Sequence, residues 1–259
     1  MVANPSQNKL KVESLLTPLS EDIEYQKQVR IGLIAISTDP TIEPDFRKML
    51  NTDEVEFFVS RVLYENSDSP EKYWAIAERL TEATALLTDI PLDVIAYGCT
   101  SATVEVGVEK TFERIWAARP GIPCSTPITA ACKGFKELGV NKIALLTPYP
   151  DEVTYSMSKY LELEGISVVK MASFKRGTDW EKSKISPSTI CDVALEIAGG
   201  DAEGIFISCT ALRATDAIEE IELRLGKPVI SSNQALLWES LRLVGYKKPI
   251  LGYGYLMRK

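Results

Sequence analysis

One unit is written twice along this chain, and that duplication limits the possible folds more than any other feature. A Cys-Thr dipeptide closes an apolar run at IAYGCTSAT, Ile95 to Thr103, and again at IFISCTALRAT, Ile205 to Thr215. Cys99 follows Ser37, the end of RIGLIAIS, by 62 residues, and Cys209 follows Thr147, the end of NKIALLT, by the same 62. A single 110-residue shift therefore aligns two run ends and two dipeptides. After each dipeptide the chain reads as a helix, a short strand (GIPCS; KPVISS) and a helix ending in glycine (ACKGFKELG; LLWESLRLVG). A repeat of this length marks two copies of one structural unit.

The unit itself is α/β. Strand-length apolar runs (RIGLIAIS, VEFFVSRV, DVIAYG, KIALLTP, ISVVKM, GIFIS) alternate with helical patterns such as SPEKYWAIAERLTEATALLTD, EVTYSMSKYLELEG and SPSTICDVALEIAGG. Ser69-Pro70 and Ser186-Pro187 each place a cap residue ahead of a proline at the first helical position. Near-continuous apolar strands between amphipathic helices predict a parallel sheet covered on both faces. The expected architecture is two similar halves with pseudo-twofold symmetry, residues 29–139 and 140–259, behind a polar leader at 1–28. The final segment is free to cross back to the first half.

Composition narrows the function. A net charge of −7 disfavours nucleic acid or an acidic membrane as partner. No run reaches the ~18 apolar residues of a membrane helix, and the leader lacks a signal peptide's basic start and apolar centre, so a cytoplasmic location is expected. Histidine is absent, which removes Ser-His-Asp and Cys-His catalysis and histidine-ligated metals. Neither G-x-G-x-x-G nor G-x-x-x-x-G-K-[ST] occurs, so nucleotide binding is unsupported. No cofactor is expected.

Five cysteines without a C-x-x-C pair fit neither a disulfide framework nor a zinc knuckle. Cys191 falls on the apolar face of its helix, Cys132 lies in another helix, and Cys124 lacks a counterpart in the second half; all three read as packing. Cys99 and Cys209 differ. Ligands of open α/β sheets bind beyond the carboxyl ends of the strands, where both cysteines fall. A helix start there favours anions and lowers a thiol's pKa. If the halves face each other, one thiolate removes a proton or attacks a carbon while the other thiol donates from the opposite face. Thr100, Ser101 and Thr210 would hold a substrate carboxylate.

At these residues the chain resembles the aspartate/glutamate racemase superfamily. GCTSAT, LLTPYP, SCTALRA and the QALLWESLRLVG helix carry the resemblance, from Val29 to the C-terminus. It is most similar to the branch of maleate cis-trans isomerases, arylmalonate decarboxylases and ectoine-utilisation racemase-like proteins, with ISTDPTIEPDFR closest to the last. The resemblance implies that Cys99 and Cys209 are catalytic. It also implies that Thr100, Ser101, Thr210 and Ala211 bind carboxylates, that Tyr149 lines the pocket, and that Ser37, Thr38 and Asp39 contact substrate. Arg213, four residues after Cys209, is a further candidate for a carboxylate, with a solvated helix residue as the alternative. Asp39 replaces the asparagine of maleate isomerases; it would repel a dicarboxylate or receive an amino group, or else simply close an Asx turn.

The expected function is a cofactor-independent isomerase or racemase on a small carboxylate or dicarboxylate, of ectoine-utilisation type. Maleate cis-trans isomerisation is the alternative. Arylmalonate-type decarboxylation is disfavoured, because by the same resemblance those enzymes keep only the second of the two cysteines. A small-acid binding protein without turnover would not need two opposed thiols. By the same resemblance the assembly is a homodimer or homotetramer.

Overall fold

A computed structural model describes residues 28–50 and 52–259, so the leader up to residue 27 lies outside the described residues. The first half runs β1 (Val29–Ile36), α1 (Ile42–Met49), β2 (Val55–Val62), α2 (Pro70–Ala85), β3 (Val94–Gly98), α3 (Thr100–Val106), α4 (Val108–Trp116), β4 (Cys124–Ser125) and α5 (Pro127–Glu137). The second runs β5 (Lys142–Thr147), α6 (Asp151–Leu163), β6 (Ser167–Ser173), α7 (Asp179–Ser183), α8 (Pro187–Ile197), β7 (Gly204–Ile207), α9 (Ile218–Leu225), β8 (Val229–Ser231) and α10 (Ser232–Leu243).

Two four-stranded parallel sheets result, ordered β2-β1-β3-β4 and β6-β5-β7-β8. The order is the same once the numbering advances by four. Each apolar run of the sequence forms its strand, and the central strands β1, β3, β5 and β7 are buried almost throughout, as a sheet covered on both faces requires. Along β1, Ile31, Leu33 and Ala35 enter a core that continues into the second half, while Ile34 and Ile36 face a separate cluster under α2.

The repeat is less regular than the 110-residue spacing suggests. The Asp93 amide bonds Arg30 O at 2.9 Å, and its counterpart, the Glu203 amide, bonds Lys142 O at 2.8 Å. The β3 and β7 residues are 110 apart, but their β1 and β5 partners are 112 apart. Ser37 therefore corresponds in space to Tyr149, not to Thr147; a hydrogen-bonded ladder, and not counting along the chain, sets the register. A second difference follows Cys209. No α-helix begins there: residues 210–214 turn irregularly into a 3₁₀ segment, Thr215–Ala217, before α9.

The halves interlock through their last helices. α5 packs on β8 of the other half, and its Phe135 meets Phe206 of β7 edge to face at 6.2 Å. A Cβ on Gly134 would stand 2.9 Å from Ile230 Cδ1, so a side chain there would have to push Ile230 aside. α10 crosses to β3, β4, α1 and α5. On it, the buried Glu239 accepts hydrogen bonds from Ser125 Oγ at 2.6 Å, from Thr129 Oγ1 at 3.3 Å and from the Lys133 ammonium.

A buried acid joins α1 to this crossing. Asp45 Oδ2 accepts from Thr215 Oγ1 at 2.7 Å and from Asn233 Nδ2 at 2.8 Å. Burial nevertheless pushes its carboxyl up to about 6. The folded protein thus holds a proton, between pH ~4 and ~6, that the unfolded chain releases, and stability falls as pH rises through that window. Asp45→Asn removes the titration. In denaturant titrations the gap between wild type and variant is expected to move in the variant's favour by up to about 3 kcal/mol from pH 4 to pH 7.

Candidate active site

Both Cys-Thr dipeptides arrive at one cavity. Cys99 follows the last residue of β3 and occupies the N-cap of α3 in extended conformation. Cys209 lies two residues past β7, at φ 132°, a conformation that costs a non-glycine residue on the order of 1–3 kcal/mol. The cavity is small, about 10 Å³, and is lined by Cys99, Thr100, Ser101, Tyr149, Cys209 and Thr210, together with Ile36, Tyr64, Asp68, Tyr73, Asp179 and Lys182.

A hydroxyl bridge ties the two dipeptides together. The Cys209 amide donates to Ser232 Oγ at 2.9 Å, and Ser232 Oγ lies 2.9 Å from Thr100 Oγ1. Ser232 opens α10, whose capping box pairs Ser231 with Gln234. One residue on, Asn233 Nδ2 donates to Thr210 O at 2.8 Å. The crossing helix therefore holds the strained Cys209 turn against Thr100. Ser232→Ala leaves the buried Cys209 amide without its partner and is expected to cost about 1–3 kcal/mol. Urea denaturation of the variant, alongside KM for whichever acid is turned over, checks this.

The far wall is polar. Lys182, 1% exposed, contacts Asp68 Oδ2 at 2.8 Å and Asp179 Oδ1 at 3.2 Å, and stands 5.4 Å over the Tyr149 ring. Asp68 Oδ1 accepts from Tyr64 OH at 2.9 Å and Tyr73 OH at 2.8 Å. Asp179 Oδ2 accepts from Thr38 Oγ1, and the Asp179 amide donates to Asn66 Oδ1 at 2.9 Å. Burial alone would pull the Lys182 pKa down, but Cys209, Asp68 and Asp179 hold it above the usual lysine range.

The thiols do not follow the helix-end expectation. Burial pushes Cys99 and Cys209 each up to about 12. At Cys99 the Ala102 amide offsets part of this, while Asp179 adds to it. At Cys209, where no helix begins, Lys182 draws the pKa down and Asp179 pushes it up. Desolvation exceeds what a seven-residue helix can supply.

Of the residues singled out from the sequence, Cys99, Cys209, Thr100, Ser101, Tyr149 and Thr210 line the cavity, and five do not. Ser37 Oγ instead accepts from the Tyr64 amide at 3.0 Å. Thr38 acts through Asp179. Asp39 Oδ1 accepts from the amides of Thr41 at 2.7 Å and Ile42 at 3.0 Å, so this side chain closes an Asx turn into α1. Ala211 turns its carbonyl to Thr41 Oγ1 at 3.0 Å. Arg213 faces a separate surface cleft with Pro40, Trp180 and Lys184, and donates to Ile185 O at 3.4 Å; the irregular turn after Cys209 carries it away from the thiols. Cys124, Cys132 and Cys191 line no part of the cavity. Sequence reasoning missed Tyr64, Asp68, Tyr73, Asp179, Lys182 and Ser232. The one local signal was the capping box of α7, Thr178 with Glu181, which marks a helix start but not a site.

Two matched α/β halves presenting one cysteine each to a shared cavity define a class of duplicated, two-thiol proteins. The family model for arylmalonate decarboxylase matches residues 31–257, and this chain belongs to that family. Arylmalonate decarboxylase of Bordetella bronchiseptica is 32% identical over 204 residues, covering 77% of this chain and 85% of the relative. Maleate isomerase of Alcaligenes faecalis is 24% identical over 247 residues, covering 89% and 97%. Among solved structures, an arylmalonate decarboxylase in liganded form, carrying a glycine-to-cysteine and a cysteine-to-serine exchange, superposes with TM-score 0.79 at 30% identity, covering 88% of this chain and 98% of the other. The Nocardia farcinica maleate cis-trans isomerase bound to TRIS superposes with TM-score 0.82 at 23% identity, covering 89% and 98%, a likeness of fold.

Proposed function

We propose that this protein is a cofactor-independent isomerase that works on a small carboxylate through Cys99 and Cys209. One observation carries the reading: two thiols, delivered by equivalent strand ends of the two halves, line the same cavity. A group that accepts a proton on one side and a group that returns it on the other is what interconversion of stereoisomers needs. The Thr100, Ser101 and Thr210 hydroxyls beside the sulfurs suit the carboxylate on which negative charge develops.

Two finer readings differ in what the first thiolate does. In cis-trans isomerisation it adds to an alkene carbon, the electron pair moves toward the carboxylate, the carbon–carbon bond turns, and the thiolate leaves. Relatives named maleate isomerase favour this course, and a solved Nocardia farcinica maleate isomerase variant holds a covalently bound succinylcysteine intermediate. In racemisation the thiolate removes a proton next to the carboxylate and the opposite thiol supplies another. The ectoine-utilisation reading is of this second kind, and none of the relatives named above carries it.

Incubation with maleate, followed by fumarate absorbance, tests the first course. Solvent deuterium appearing next to the carboxylate of saturated acids tests the second. Carbon dioxide released from an arylmalonate, with neither of the other two signals, would assign decarboxylation instead. Dimer or tetramer assembly belongs to the same proposal and is read by light scattering.

A further inference from the structure

Arg213 reads from the sequence as a partner for a carboxylate, and the catalytic cavity does not use it. The irregular turn after Cys209 delivers it instead to a surface cleft of about 420 Å³, lined by Pro40, Thr41, Trp180, Ser183, Lys184 and Arg213. Small-molecule sites span about 300–1,000 Å³, so the cleft has room for an organic ligand. The two spaces are distinct. α7 presents Asp179 and Lys182 to the cavity and Trp180 and Ser183 to the cleft, on different faces of one short helix.

The cleft has a sign. The whole chain carries 36 acidic against 29 basic residues, yet the lining holds two cations and no acid. Among the described residues neither Lys184 nor Arg213 forms an ion pair. Arg213 donates one hydrogen bond, to Ile185 O at 3.4 Å, and its Nε, shut off from solvent, meets no acceptor. A guanidinium has five N–H donors, and a shielded donor left without a partner costs free energy that a bound acceptor would recover. The Lys184 ammonium stands 5.0 Å over the Trp180 ring and hydrogen-bonds none of the described residues. The hydroxyls beside them are already committed, Thr41 Oγ1 to Ala211 O at 3.0 Å and Ser183 Oγ to Trp180 O at 2.9 Å. The unused donors of the cleft are its cations.

The remaining surface is apolar. Trp180 is 60% exposed and shares the lining with Pro40; an indole left open in this way favours a flat, polarisable body. We propose that the cleft is a second binding site, for an organic carboxylate with a flat apolar body. The carboxylate lies between Lys184 and Arg213, whose paired N–H groups match its two oxygens, and the body rests against Trp180 and Pro40. The site stands apart from the two thiols and does not depend on what they catalyse.

Titration calorimetry of the full chain with benzoate, acetate and benzyl alcohol tests this. Benzoate is expected to saturate a site at least about tenfold more tightly than acetate, which lacks the ring, or benzyl alcohol, which lacks the charge. Arg213→Gln, Lys184→Gln and Trp180→Leu are each expected to weaken benzoate about fivefold or more, and added salt to weaken it in the wild type, as for any charge pair open to solvent. None of the three side chains belongs to the buried core, and circular dichroism checks that the variants fold. Ser101→Ala, which alters the catalytic cavity alone, is expected to leave benzoate binding as it is. Benzoate bound no more tightly than acetate or benzyl alcohol, or not bound at all, overturns the proposal. Binding weakened by Ser101→Ala and untouched by Arg213→Gln overturns it too, because the ligand then sits between the thiols.

Discussion

Cys209→Ser is expected to lower kcat at least about 10³-fold, and Cys99→Ser to do the same, with little change in thermal stability. Serine keeps the size and the backbone preferences of cysteine, so the φ 132° turn at position 209 and its amide bond to Ser232 persist. What changes is the acidity and nucleophilicity of the reacting atom, in a cavity where burial already opposes ionisation. Turnover and melting temperature are measured on the same preparation. The variants also divide the mechanism. If the thiols act as opposed acid and base, each single variant loses interconversion, while one-sided exchange of solvent hydrogen survives for the isomer facing the remaining thiol. If one thiol adds to an alkene, only the adding residue abolishes every signal. A Cys209→Ser protein that keeps a tenth of wild-type kcat removes Cys209 from the chemistry.

Lys182→Met is expected to be the most destabilising single exchange in the cavity. It deletes the ammonium between two carboxylates that are themselves nearly inaccessible, with side-chain exposures of 5% for Asp68 and 2% for Asp179. Breaking a buried ion pair by removing one partner costs about 3–5 kcal/mol, because the remaining charges stay buried. For a chain of this size that corresponds to a fall in Tm of roughly 10 °C. Adding Asp68→Asn to Lys182→Met removes one of the stranded charges and is expected to restore part of the stability. Calorimetry of the wild type and both variants measures this. An unchanged Tm in Lys182→Met would show that the triad contributes nothing to the fold.

The strands were legible because their signal is local. RIGLIAIS, DVIAYG, KIALLTP and GIFIS announce buried parallel strands by their own composition, and each becomes the strand expected. The cysteine pair was legible because the chain repeats it at strand ends. Its protonation was not, since burial and nearby carboxylates control the thiols and neither is written in the flanking residues. Arg213 shows the same boundary: spacing placed it one turn beyond Cys209, but no helix starts there. The charged groups of the far wall left no mark of a site. Asp68 and Lys182 are 114 residues apart, and each alone reads as a surface charge.

Local side-chain chemistry thus made the duplicated α/β plan and the choice of two thiols readable from composition and periodicity, since an apolar run must be buried wherever the fold puts it. Only packing decided the rest. The crossing of α10 brings Ser232 to both dipeptides, and the approach of α7 closes Lys182 between two acids. Those contacts join distant segments, and their energies arise from water excluded between surfaces that no single stretch of chain contains.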